Sequence, residues 1–471
     1  MSSAVVVGSG PNGLACAATL ASRGVEVTVL EGADTIGGGT RSSELTVPGL
    51  LHDEHSATHP MAVSSPAVVS AGLELERHGL EWLWPEVDLA HPLDGGGGAT
   101  MLRSIEATAA GLGEGGRRWK RIFGPPSEWY EPLTEDIYHP LIHVPRHPLL
   151  VTRFGMRAAT PATLLARALG TPEAAALFGG VAAHSYADLG RPLSSAIGMA
   201  LICSGHAHGW PVAKGGSIAI ANAFAAVIRE HGGRIETGAR VRSLDELPAA
   251  DLVVLDLSPD GVLRLAGDRL PRRSAAAYRR YRYGPGAFKL DLAVEGGVPW
   301  TLEAARRAGT VHVIGSFEEL VHAEAEINRG RMPERPFVLV GQQYLADPGR
   351  SRGDLHPVWA YAHVPNGYPE DLTETILDQI ERFAPGTRER VVARTAQSPV
   401  EVEATNANFR GGDILTGANT PLQMVLRPRP APVPYWTGIP GVFICSAATP
   451  PGAGAHGICG FNAAEAALRT L

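Results

Sequence analysis

The chain has 471 residues, 44% of them hydrophobic and 19% charged, with a formal net charge of −7 and a pI near 6.2. That length predicts two domains, or one domain interrupted by another. The composition is that of an ordinary soluble globular protein, the acidic balance argues against a nucleic-acid partner, and no run of about 18 apolar residues offers a membrane span. Cys16, Cys203, Cys445 and Cys459 show no CxxC spacing and imply reduced, mostly buried thiols in a cytoplasmic setting. No targeting segment is expected ahead of the first strand, which begins at Ala4.

That strand, Ala4-Val5-Val6-Val7, runs into Gly8-Ser9-Gly10-Pro11-Asn12-Gly13, a helix ending at Arg23-Gly24, and a second strand over 25–30 that closes on Glu31. Next comes Thr35-Ile36-Gly37-Gly38-Gly39-Thr40-Arg41. Residues 62–92 mix helical periodicity with prolines, and 94–98 reads as a glycine loop tip. Residues 104–205 read as mainly helical, with proline breaks at 125–126, 140–148 and 161. A helix is predicted over 218–230. Strands are predicted at 234–237, 241–242, 252–257, 287–294, 311–314, 337–340 and 358–363, and an amphipathic helix over 372–383. The tail repeats the opening grammar: a strand at 442–445, a glycine loop and a helix from Ile458. The expected architecture is α/β. A discontinuous Rossmann-type domain (1–92, 206–286 and 400–471) is interrupted by a substrate domain (93–205 and 287–399) with a helical first part and a mixed sheet.

Strand, glycine turn, helix, strand and acidic residue in this order make a dinucleotide site. Gly8 permits the tight turn, Gly10 lets the backbone approach a pyrophosphate, and Gly13 lets the helix pack close, with Pro11 and Asn12 opening that helix. Glu31 can accept hydrogen bonds from an adenosine ribose and would repel a 2′-phosphate. Gly38, Gly39, Thr40 and Arg41 form a second anion-binding turn that an NAD site does not need and a ribityl-diphosphate arm could use. Gly452-Ala453-Gly454-Ala455-His456-Gly457 is also a GxGxxG string, but no second strand with an acidic end is expected after it. It reads as a loop feeding a helix N-terminus that could stabilise negative charge on a reduced flavin.

The opening block, Gly-Gly-Gly-Thr-Arg-Ser after Glu31, and Leu51-His52-Asp53-Glu54-His55-Ser56-Ala57-Thr58-His59-Pro60 resemble the phytoene dehydrogenase-related oxidoreductases. So do Gly209-Trp210-Pro211 with Gly215-Gly216, Asn406-Ala407-Asn408-Phe409 with Gly411-Gly412-Asp413, Arg427-Pro428, and the closing stretch from Pro440 to Asn462. The resemblance spans essentially the whole chain. It is nearer a branch that includes an animal mitochondrial paralogue than the carotenoid desaturases. It implies non-covalently held FAD in the flavin amine oxidase fold, with backbone near Val241 at the adenine and Gly457 and Ile458 at the flavin. The family's acidic residue after the last strand is missing from Cys445-Ser446-Ala447-Ala448-Thr449, so Ala448 and its neighbours must meet the cofactor differently.

The resemblance also singles out Lys289, whose setting is similar to that of the amine oxidase lysine that holds a water near flavin N5; a solvent-facing strand lysine is the other reading. His456 is a candidate proton donor or a helix cap, and His59 a candidate near the flavin. His52, His55 and His59 match no familiar zinc set, and no metal is expected. Trp359, Tyr361 and His363 share one strand face, and with His206 and Trp210 they read either as a substrate wall or as core. Arg117, Arg118, Lys120 and Arg121 around Trp119 are either a membrane-touching patch or a solvated face. The expected activity is hydride transfer between flavin N5 and a C–H bond of a polyene, isoprenoid or fatty-chain substrate, as desaturase or saturase. Oxygen or a quinone would be the acceptor. An amine-type oxidase, a double-bond isomerase using reduced FAD, and a non-catalytic FAD-binding interaction protein are the alternatives.

Overall fold

The computed structural model describes residues 2–471 and contains two principal sheets. The first is five-stranded and wholly parallel, in the order Val442–Ile444, Leu252–Leu255, Ser3–Val7, Glu26–Leu30, Arg234–Glu236. Its inner strands are rich in β-branched residues because helices cover both faces. Ala4 and Val6 point to the side packed by Pro11–Ser22, Ile218–Glu230 and Ile458–Leu468. Val5 and Val7 point to the side packed by Pro259–Ala266 and Arg272–Arg279. Three distant pieces of chain thus close one nucleotide-type domain, as the α/β reading expects.

The second sheet has seven strands, in the order Val391–Gln397, Gly286–Glu295, Leu355–Val364, Val338–Gly341, Ala308–Val313, Val87–Pro92, Gly98–Met101. All its pairs are antiparallel except Ala308–Val313 with Val87–Pro92. Leu290, Leu292, Val358 and Ala360 bury one face under the helix Thr373–Phe383. Trp359 and Tyr361 bury the other against the helical layer built from residues 105–208.

Four details depart from the sequence reading. The second sheet takes in 87–92, ahead of the boundary drawn at residue 93. Val391–Gln397 is a strand whose alternating half-exposure hides it among charged residues. Residues 241–242 are not a strand: the short edge strand Arg234–Glu236 ends before Gly238 turns left-handed at φ 67°, and the Arg242 N–H donates to the Glu246 carboxylate instead of to a neighbour. Pro125 and Pro126 do not break a helix, for they sit in the last turn of Glu114–Glu128. The Arg121 carbonyl, which the Pro125 nitrogen cannot serve, accepts from the Arg157 guanidinium at 3.5 Å.

Candidate functional site

The first glycine turn folds as its spacing demands. Gly8 has φ 101°, a conformation side chains rarely adopt, and its N–H donates to the Leu30 carbonyl. Pro11 starts the helix, where its missing N–H costs nothing, and Asn12 and Gly13 are buried in its first turn. The second turn lies directly on the first. The Gly37 N–H donates to Ser9 O at 2.9 Å, and a Cβ on Gly38 would come within 2.9 Å of Gly10 Cα. Gly39 is packed under Phe409, and Thr40 closes the turn on the Gly37 carbonyl.

Glu31 stands at the rim of both turns. It accepts from the Ser9 N–H and hydroxyl and from the Ala33 N–H, and Arg41 lies 3.9 Å away. Arg41 reaches the carbonyls of Thr35 and Thr405. Two buried polar atoms here have no protein partner among the described residues, Asn12 Oδ1 and Arg41 Nε. A close backbone cradle, two stacked anion turns and a guanidinium beside them fit an extended dinucleotide diphosphate. The segment past Arg234–Glu236 runs along Glu31, with the Ala239 N–H donating to Glu31 O, which brings Val241 to that side of the site.

The histidine block lines the second turn. Glu54 N–H donates to Arg41 O and Ser56 N–H to Gly39 O. His52, His55 and His59 do not converge. His52 sits between Thr46 and Asp291, His55 meets Thr405 and the edge of Phe409, and His59 Nε2 meets the Ser217 hydroxyl at 2.9 Å. Burial pushes His55 down to about 3, helped by the nearby charges of Lys289 and Arg41. Burial also takes His59 to about 4, opposed by Asp53. The anchor of this block escaped the sequence reading. Asp53 and Arg350 are both buried and paired, and Arg350 also binds Asp347 and the Ala213 carbonyl. Burial raises the Asp53 carboxyl, but Arg350 and hydrogen bonds from Ser217 and Ser42 outweigh it and hold the carboxyl below its usual range. Arg350 lies nearly 300 residues from Asp53, and no local pattern marks it.

Lys289 is not a solvent-facing lysine. It is buried on Gly286–Glu295, paired with Asp291, whose other oxygen lies 3.4 Å from His52 Nδ1. In register it faces Tyr361, while Asp291 faces Trp359 and Ala287 faces His363, so all three predicted wall residues share its side of the sheet. Tyr186, itself at φ 52°, packs its ring against His363, tilted by 31° at 3.7 Å between centroids, and His363 Nδ1 bonds Glu324 at 2.7 Å. Trp359 Nε1, His363 Nε2 and the Tyr186 hydroxyl are buried without a protein partner among the described residues.

At the other end, Gly457 caps Ile458–Leu468 at φ 68° and packs on Ala15 and Ala67, seating this helix against Pro11–Ser22. His456 Nδ1 accepts from the Ile458 N–H, the helix-cap reading, while Nε2 remains buried and unpartnered among the described residues. Burial takes this imidazole to about 4. Ala448 is buried in the preceding loop, where its N–H meets the Ser446 hydroxyl. The structure keeps His206 apart from these groups: Nε2 accepts from Trp119 Nε1 and Nδ1 meets the Arg103 carbonyl. Trp210, by contrast, bonds Thr58 of the histidine block and Asp88. Trp119 is fully buried, so the basic aromatic patch read around it does not exist as a surface; only its charged neighbours are exposed.

Residues 6–69 match the family model of the NAD(P)-binding Rossmann-like domain. The chain is 24% identical to the rat pyridine nucleotide-disulfide oxidoreductase domain-containing protein 2, over 99% of this chain and 93% of that one. Among solved structures it resembles an oxidoreductase from Methanosarcina mazei (TM-score 0.64, 16% identity, 99% and 100% of the two chains covered). It also resembles a putrescine oxidase redesigned in its cofactor binding (TM-score 0.60, 16% identity, 100% and 97% covered). The chain therefore has a Rossmann-like nucleotide-binding domain set in a mixed α/β fold of amine oxidase type.

Proposed function

We propose that this protein is an FAD-dependent oxidoreductase that moves a hydride between a C–H bond of a hydrophobic substrate and the flavin, as desaturase or saturase. The observation that carries the reading is the stacking of two glycine turns, Ser9–Gly10 on Gly37–Gly38, joined to the buried Lys289 strand through the histidine block, where Ser56 N–H donates to Gly39 O and His52 meets Asp291. FAD would supply the hydride-accepting ring. The turns and Arg41 would hold its diphosphate, Glu31 its ribose, and the segment at Val241 its adenine. Gly457, Ile458 and Ala448 would meet the ring end, where His456 Nε2 can donate a hydrogen bond and His59 is fixed as a neutral donor to Ser217. The wall of Trp359, Tyr361 and Trp210 would exclude water and orient an apolar chain.

The buried position of Lys289 beside two aromatic rings favours a second reading, an amine-type oxidase in which this lysine holds a water or oxygen. The fold shared with putrescine oxidase supports it at the level of fold alone. Exposed apolar residues at 141–156, next to Arg146 and Arg153, support a peripheral membrane contact in either case. Mass spectrometry of the small molecules released from purified protein, followed by anaerobic mixing with candidate polyenes and amines, separates the readings. FAD in the released fraction, with its visible bands bleached by a polyene, is the expected outcome. Bleaching by amines alone overturns the hydrophobic-substrate reading, and release of no FAD overturns both.

A further inference from the structure

The first glycine turn holds an unexpected anion. Asp256 follows the strand Leu252–Leu255 and projects across the turn, touching all three of its glycines. Its Oδ2 accepts from the Gly13 N–H at 3.0 Å and would lie 2.5 Å from a Cβ on Gly10. Asn408 clamps its backbone carbonyl at 2.9 Å, and its own N–H is committed to Val7 O, so this chain segment is fixed in place. A helix N-terminus that would serve a diphosphate is therefore already serving a carboxylate. The charged group facing it is Glu31, and the thiols around it are Cys445 and Cys459, both pushed up by burial and so neutral. Among the described residues no lysine or arginine forms an ion pair with it. Burial, and then Glu31, push this carboxyl up to about 7, against the hydrogen bonds from the turn.

We propose that Asp256 makes dinucleotide binding proton-linked: its carboxylate takes up one proton from solvent as a diphosphate enters the first glycine turn, so affinity falls as pH rises above neutrality. The inference rests on the dinucleotide reading of the site but not on the identity of the redox ring. A diphosphate adds negative charge beside a carboxylate already short of counter-charge, so the complex favours the protonated, hydrogen-bond-donating form. Below the free group's titration the proton is already bound and affinity is flat. Above it, one proton must be gained per dinucleotide, and affinity falls by up to tenfold per pH unit.

The test is titration calorimetry of FAD and of ADP into the full-length chain freed of bound nucleotide, from pH 6 to pH 9, in buffers of differing ionisation enthalpy. Expected are a flat Kd below pH 7, a weakening of up to tenfold per unit above it, and uptake of up to one proton. Asp256→Asn is expected to bind both ligands with a pH-independent Kd, and more tightly than wild type at pH 9. A flat wild-type profile with FAD bound, or a variant that binds more weakly at pH 9, overturns the proposal. A pH-linked ADP affinity without FAD binding leaves Asp256 its role and removes the FAD reading instead. Binding of neither ligand overturns both.

Discussion

Lys289 is where the competing activities part. Its ammonium and the Asp291 carboxylate are both buried, and they hold each other on the face shared with Tyr361 and Trp359. A buried pair contributes little over an apolar replacement, but removing one partner strands the other. Lys289→Met is therefore expected to cost about 3–5 kcal/mol, and the double change Lys289→Met with Asp291→Leu to recover most of it. Urea unfolding of the single and double variants measures both; additive losses would show that the two groups do not act as a pair. In the double variant, once its thermal midpoint matches that of wild type, unaltered oxygen reactivity would remove the amine-oxidase argument. The sequence placed Lys289 opposite Phe288 and Leu290 but left its burial open, because alternation distinguishes two faces and not which of them meets solvent. Asp256 lay inside the apolar strand predicted over 252–257, whereas the observed strand ends at Leu255, and only the fold brings its carboxylate against Gly10.

The elements were legible where local physics fixes them. The glycine turn, the helix behind it and Glu31 are dictated within the first 31 residues, and the helix Thr373–Phe383 by its amphipathic spacing. Residues 241–242 and Val391–Gln397 were misread or missed because an edge strand owes its pairing to a neighbour remote in sequence. The histidines show the same limit: their spacing matched no metal set, but only packing shows where each one goes, and burial keeps His55 and His59 uncharged. Burial holds His55 and His184 near 3 and His59, His91 and His456 near 4. Each folded value lies below the unfolded value of about 6.5, so their contribution to stability is present above pH 6.5 and is lost as pH falls toward 4. Asp88 and Asp256, raised by burial to about 7, act in the opposite sense: their contribution is present below about pH 4 and lost as pH rises through 7. The histidines outnumber these acids, so the urea midpoint is expected to climb between pH 5 and pH 6.5 and then level. A midpoint that falls over that interval would mean the imidazoles are charged in the folded protein.

At the scale of the whole molecule, the surface that stands out belongs to the helical layer and not to the nucleotide domain. Ile142, Val144 and Leu149 are 68%, 91% and 73% exposed, and Leu141 and Met156 join them along one stretch of chain. Arg146, whose partner Glu135 is also exposed, and Arg153 stand among them. No helix among the described residues is long and apolar enough to cross a membrane. Each apolar side chain buried at an interface contributes about 1.5–3 kcal/mol, and each basic side chain near an anionic leaflet about 1 kcal/mol. Three or four such groups suffice for reversible binding, and the electrostatic part weakens with salt. The protein is thus expected to sediment with vesicles of phosphatidylserine and phosphatidylcholine, less with phosphatidylcholine alone, and less again when salt is raised. Replacing Ile142, Val144 and Leu149 together by Ser should abolish sedimentation while leaving the thermal midpoint within a few degrees, since these side chains touch little of the core. Equal recovery of wild type and variant in the supernatant would show that the exposed stretch does not meet lipid. A hydrophobic substrate would then have to reach the Trp359 face from solution.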